Sequence, residues 1–165
     1  MDPERREELS LPEAITHLLE ECRMVLPGIQ ALFGFQLIAV FNTGFAEKLN
    51  ISEQRLHLVA LGLVAIAVAL LMAPAAYHRQ TGPRQVTERF ITVAGRLLLA
   101  AMVPLMVSIG LEFYLIARVI LSNALISLIL ALALMCVFSG LWFLLPRMAS
   151  HKNPGRSRQE PWSQR

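Results

Sequence analysis

Four stretches of this chain, 24–46, 56–77, 97–117 and 119–146, contain a single charged side chain among them, Glu112. An α-helix rises about 1.5 Å per residue, so about 20 residues cross the roughly 30 Å of hydrocarbon in a bilayer, and every one of the four blocks reaches that length. The pattern predicts an all-α membrane protein: four transmembrane helices, over about 24–46, 56–77, 92–117 and 120–146, in an antiparallel bundle preceded by a short amphipathic helix. Composition agrees, since 55% of the 165 residues are hydrophobic and only 16% charged, with a mean hydropathy of +0.53. A single small core could not bury that excess.

The first block begins too late and runs too long for the apolar core of a cleavable leader, so the N-terminus is expected to be retained. Cys22 and Cys136 stand alone and imply no disulfide framework. Lys and Arg are distributed unevenly: with the first helix entering from the cytoplasm, twelve fall on inside segments and three outside. That asymmetry predicts both termini in the cytoplasm. The basic balance then reflects attraction to anionic lipid headgroups, and nothing resembles a nucleic-acid-binding module.

Residues 1–9 and the basic tail 147–165 are polar and aperiodic, which predicts disorder at both ends of a 10–146 membrane domain. Ser10 and Glu13 have capping-box spacing, and Leu11, Ile15, Leu18, Leu19 and Cys22 recur at helical intervals. They predict a cytoplasmic amphipathic helix over about 11–23, joined to the first span near Pro27-Gly28 and folded on the inner end of the bundle. Pro104 predicts a kink in the third span, and Pro74 a bend or end in the second. The connection between the last two spans is expected within 118–123. Ala65, Ala69 and Ala73 form a small-residue ridge on the second span, and Ala100 and Ser108 share a face of the third, both suited to close helix packing.

Polar residues inside these spans are the candidate sites. Gln30 and Gln36 lie about 120° apart on one helix and so face different neighbours. Interhelical hydrogen bonding is the simpler role for each amide; the alternative is a small polar pathway with Asn42 or Ser108. Glu112 is the foremost candidate for a functional ionisable group, yet its depth near the outer end, with Arg118 close by, favours a structural ion pair or an interfacial hydrogen bond. His17, Glu20 and Glu21 form a His-x-x-Glu-Glu run, but bundle metal sites draw Glu and Glu-x-x-His from several helices and no second copy occurs, so no metal or other cofactor is expected. His57 opens the second span at its outer end. Tyr77, His78 and Arg79 close it as an interfacial anchor, as Trp142 does for the fourth. No nucleophile, metal-protease or phosphate-binding motif is present, so no enzyme activity is expected.

The strings "RMVLPGIQALFGFQLIAVF", "LHLVAL", "MAPAAYHR" and "LEFYLIARV" together resemble a bacterial family of small four-helix integral membrane proteins catalogued as a domain of unknown function. The resemblance covers about 11–121 and implies a fold and a bacterial cytoplasmic membrane, but it transfers no activity to any residue. The expectation is therefore a non-catalytic accessory or interaction component whose partners are the bilayer and either another membrane protein or further copies of itself. The rival is a small oligomeric transporter or channel, ion or proton coupled, using Gln30, Gln36 and Glu112. A membrane enzyme would need an inner-surface constellation of His17, Glu21 and His78.

Overall fold

The computed structural model describes residues 11–81, 88–145 and 147–148, all in helices or their short connections. The elements are α1 (Leu11–Val40), α2 (Thr43–Lys48), α3 (Ile51–Thr81), α4 (Glu88–Leu121) and α5 (Ala124–Ser139), which continues into a π-helical turn (Gly140–Leu144). Four of these segments, Arg23–Val40, Ile51–Tyr77, Ile91–Leu121 and Ala124–Leu144, are long and apolar enough to cross a membrane. Helix is the only regular element among the described residues, as lipid requires of chains that must satisfy every backbone N–H and C=O internally. The expected disordered ends, 1–9 and most of 147–165, and the side chains of Glu21 and His78 lie outside the described residues.

Helices α3 and α4 extend about four residues beyond each expected end, and α5 begins four residues later than expected, at Ala124; two larger differences concern α1. The amphipathic segment and the first span are one helix: α1 runs unbroken through Pro27. Proline removes one N–H and so frees only the carbonyl four residues earlier, that of Arg23, which sits exposed at the start of the span. At its other end α1 stops at Val40, short of the predicted 46, because Asn42 starts a new helix, its Oδ1 accepting from Gly44 N at 3.0 Å. The other two prolines end nothing either: α3 continues past Pro74 to Thr81, and α4 passes through Pro104.

The central unit is the antiparallel pair α3 and α4. Helix α1 lies mainly on α3 with lighter contact to α4, and α5 packs on α4. The buried face of α3 is His57, Ala60, Val64, Ala67, Leu71 and Pro74, alternating steps of three and four; α4 answers with Ala94, Ala101, Ser108 and Leu115, seven apart. That spacing keeps a seam on one face of each helix, and its small residues let the backbones approach closely. The ridge expected to pack is a different one. Ala65 and Ala69 are exposed and Ala73 half-buried; Ala100 is exposed too, while Ser108 is in the seam. A strict i, i+4 row drifts about 40° around the helix at each step, and this one begins off the contact face and nears it only at Ala73.

The α4–α5 turn is two residues long, as the sequence suggests. Ser122 takes a left-handed backbone, φ 53°, and its N–H returns to Arg118 O at 3.0 Å. Asn123 then caps α5, its Oδ1 accepting from Leu125 N at 3.0 Å and Ile126 N at 3.2 Å. Asn123→Ala is expected to cost about 1 kcal/mol and Asn123→Ser much less. Thermal unfolding of the two variants in detergent checks this, and equal midpoints would remove the cap's role.

Candidate functional site

At the end of the bundle carrying the α1–α3 and α4–α5 connections, three helices bring buried polar groups together. Gln36 comes from the last turns of α1, His57 from the second turn of α3, and Ser108 and Glu112 from successive turns of α4. Gln36, His57 and Ser108 are 4, 3 and 0% exposed. Gln36 Nε2 donates to Ser108 Oγ at 3.2 Å, and Ser108 Oγ donates to Ala60 O at 2.9 Å. His57 Nδ1 lies 2.9 Å from Glu112 Oε1, and His57 Nε2 lies 3.0 Å from Gln36 O. One chain of contacts thus ties α1, α3 and α4.

The partners of His57 constrain its protons. Its two ring nitrogens each face an acceptor, a carboxylate 2.9 Å from Nδ1 and a main-chain carbonyl 3.0 Å from Nε2, and which nitrogen donates depends on the tautomer. Apart from His57, Glu112 Oε1 meets no donor, and the buried Gln36 Oε1 meets none at all. The site is therefore rich in acceptors, with its donors already committed.

Arg118, the expected partner of Glu112, pairs elsewhere: its Nε is 3.5 Å from Glu53 Oε1. Six helical residues turn through about 600°, so positions 112 and 118 point about 120° apart. Glu112 faces α3, whereas Arg118 faces the start of that helix. Glu53 also closes a reciprocal cap with Asn50, whose N donates to Glu53 Oε2 at 3.0 Å while Glu53 N donates to Asn50 Oδ1 at 2.9 Å. Over the buried pair, Phe45 from α2 sets its ring edge-on to the His57 imidazole, centroids 5.1 Å apart. Connection and ion pair together cover the polar cluster from its end.

From the side it is reached differently. A groove of about 360 Å³ separates α1 from α4, lined by Leu32, Phe35, Ile116 and Ile120 and, on its inner wall, by Gln36, His57 and Glu112. Below Ser108 the described part of the α3–α4 seam is apolar: Val64, Ala67, Leu71 and Ala101 are each at most 5% exposed.

The remaining sequence candidates do not join this site. Gln30 is exposed on α1, a third of a turn or more from Gln36, as their spacing requires, and Asn42 is the α2 cap. His17 lies 3.9 Å from Glu20 on an exposed face of α1, and Arg79 is exposed at the far end of α3. His57 is the residue that sequence reasoning placed at a surface. A signal was available, since it is the first member of the three-and-four repeat that defines the buried face of α3.

No curated protein and no solved structure shows detectable similarity to the chain. A family model described as "Family of unknown function (DUF6328)" matches residues 7–146, which takes in all four spans and the whole polar cluster. The chain belongs to that family and has the build of a multi-pass membrane protein.

Proposed function

We propose that this protein is a non-catalytic accessory component of a bacterial cytoplasmic membrane, with both termini inside and the His57–Glu112 cluster toward the outer face. It acts by holding a membrane-protein partner or further copies of itself. The observation that carries this reading is the abrupt end of polarity at Ser108. Beyond it the described side chains of the packed seam, Val64, Ala67, Leu71 and Ala101, include none able to hydrate an ion or relay a proton, which a conducting path through one subunit would need. The distribution of Lys and Arg supports the orientation. The polar cluster serves here as an interhelical lock.

A second reading, a small ion- or proton-coupled transporter, draws support from the same His57–Glu112 pair, because ionisable groups within spans often mark ion sites. Proteoliposomes containing the full chain separate the two. The accessory reading expects proton and monovalent-cation leak equal to that of protein-free vesicles, together with a stoichiometric partner or a defined oligomer on native purification. Flux that Glu112→Gln abolishes, with the variant still folded, would overturn it.

A further inference from the structure

Two cavities adjoin at the end of the bundle that carries the α1–α3 and α4–α5 connections. One is the groove between α1 and α4, whose exposed lining is almost wholly apolar. It follows α4 from Ile120 to Glu112, about 12 Å along the axis, and opens on the perimeter that meets acyl chains. The other is a polar hollow of about 600 Å³ between α2 and the end of α4, with Glu47, Lys48, Glu53 and Arg118 in its wall. Leu49 and Val119 line both. The spans beside the hollow end at Val40, begin at Ile51 and end at Leu121. The hollow therefore lies at the depth of lipid headgroups, and the groove runs beneath it into the hydrocarbon.

The charged side chains of the hollow include two of each sign. Glu53 is committed, Oε1 to Arg118 and Oε2 to Asn50 N. Arg118 approaches it through Nε at 3.5 Å, which leaves most of the guanidinium's N–H donors for another acceptor. Glu47 and Lys48 are exposed, and their side chains make no hydrogen bond or ion pair among the described residues. Two cationic groups and one carboxylate thus remain to be matched. A phosphate beside a primary ammonium matches both signs, the phosphate accepting from Arg118 and Lys48 and the ammonium donating to Glu47. A quaternary ammonium has no N–H to give Glu47, and an anionic headgroup without a cation sets negative charge beside it. Lipid tails are as apolar as the groove, so a chain lying there adds position and the headgroup supplies the preference.

We infer that the hollow and the groove together bind one phospholipid with a primary-ammonium headgroup, of the phosphatidylethanolamine class. Its phosphate rests on Arg118 and Lys48, its ammonium on Glu47, and one acyl chain crosses Val119 into the groove. The inference rests on the membrane spans and holds under either functional reading.

The test mixes the full chain, purified in mild detergent, with equal amounts of phosphatidylethanolamine, phosphatidylcholine and phosphatidylglycerol of identical acyl chains, and counts bound lipids by native mass spectrometry. One phosphatidylethanolamine per chain should be retained about tenfold over either competitor, the effect of one charge-assisted hydrogen bond. Glu47→Gln should lower it to the level of phosphatidylcholine and leave phosphatidylcholine itself unchanged. Lys48→Gln should weaken all three lipids, which share the phosphate. Both residues are exposed, so neither change strands a buried group. Ile116→Trp, which fills the groove from its lipid-facing side, should also lower all three. Equal retention of the three lipids, a preference that survives Glu47→Gln, binding indifferent to Lys48→Gln or to Ile116→Trp in folded protein, or a lipid-free dimer would each overturn the proposal.

Discussion

Replacing either member of the His57–Glu112 pair alone is expected to destabilise the protein by about 3–5 kcal/mol, and replacing both by much less than the sum. The two side chains are 4 and 17% exposed and 2.9 Å apart, so neither can turn to water when its partner is lost. In His57→Leu the carboxyl keeps its place with no donor opposite it. In Glu112→Leu the imidazole keeps its bond to Gln36 O, but its Nδ1 faces leucine. The double variant His57→Leu/Glu112→Leu leaves neither group stranded and puts apolar atoms in contact, which is why buried pairs so often prove replaceable as a unit. Unfolding midpoints of the four proteins in mixed micelles give the coupling directly. Additive losses, with the double variant as weak as the sum of the singles, would mean that the two side chains act independently and that the contact does not join α3 to α4. Gln36→Leu sets a useful scale beside these, because Ser108 keeps its bond to Ala60 O and an interhelical amide bond in a membrane contributes about 0.6–2 kcal/mol.

The number and placement of the spans were legible in the sequence because they depend on a property summed over 20 residues: enough apolar side chains to make lipid the cheaper surroundings. Local breaks do not disturb such a sum, which is why Pro27, Pro74 and Pro104 all lie inside continuous helices. A proline deletes one rung of a ladder, and where water or a tolerant neighbour meets the freed carbonyl the helix goes on. The end of α1 at Val40 was not legible for the converse reason. Phe41, Thr43, Gly44 and Phe45 are uncharged and count toward the span, while the break depends on one oxygen, Asn42 Oδ1, reaching one N–H.

The site was half legible. Gln36, Ser108 and Glu112 could be singled out as polar groups in apolar blocks, and the angular separation of Gln30 from Gln36 anticipated that they would part company. Partners were harder, because a partner depends on which faces of two helices meet. Glu112 has Arg118 near it in sequence and His57 near it in space. The choice turns on rotation about the axis of α4, a quantity that proximity along the chain does not report. His57 looked interfacial because it stands near a helix end. It does stand near the start of α3, and its side chain is buried in the bundle.

Enlarging the seam should separate the two ways of reading the small residues of α3. Ala67→Leu and Ala101→Leu are expected to destabilise the protein by about 1–3 kcal/mol each, and Ala69→Leu to change stability by less than about 0.5 kcal/mol. Ala67 and Ala101 are 0 and 1% exposed within the α3–α4 contact, where three added carbons can be housed only by moving the helices apart. Outside the seam nothing would then compensate, because lipid is as apolar as the side chains and the association rests on close packing and on bonds such as Ser108 to Ala60 O. A wider seam stretches those bonds as well, so the cost of Ala67→Leu should grow when Gln36 is also replaced. Ala69 points outward, and a leucine there meets lipid. Unfolding in mixed micelles at matched detergent fraction measures all three. Should Ala69→Leu prove the costly one and Ala67→Leu the neutral one, the contact face of α3 would be the i, i+4 ridge, and His57, which shares the seam's face, could not be directed at Glu112.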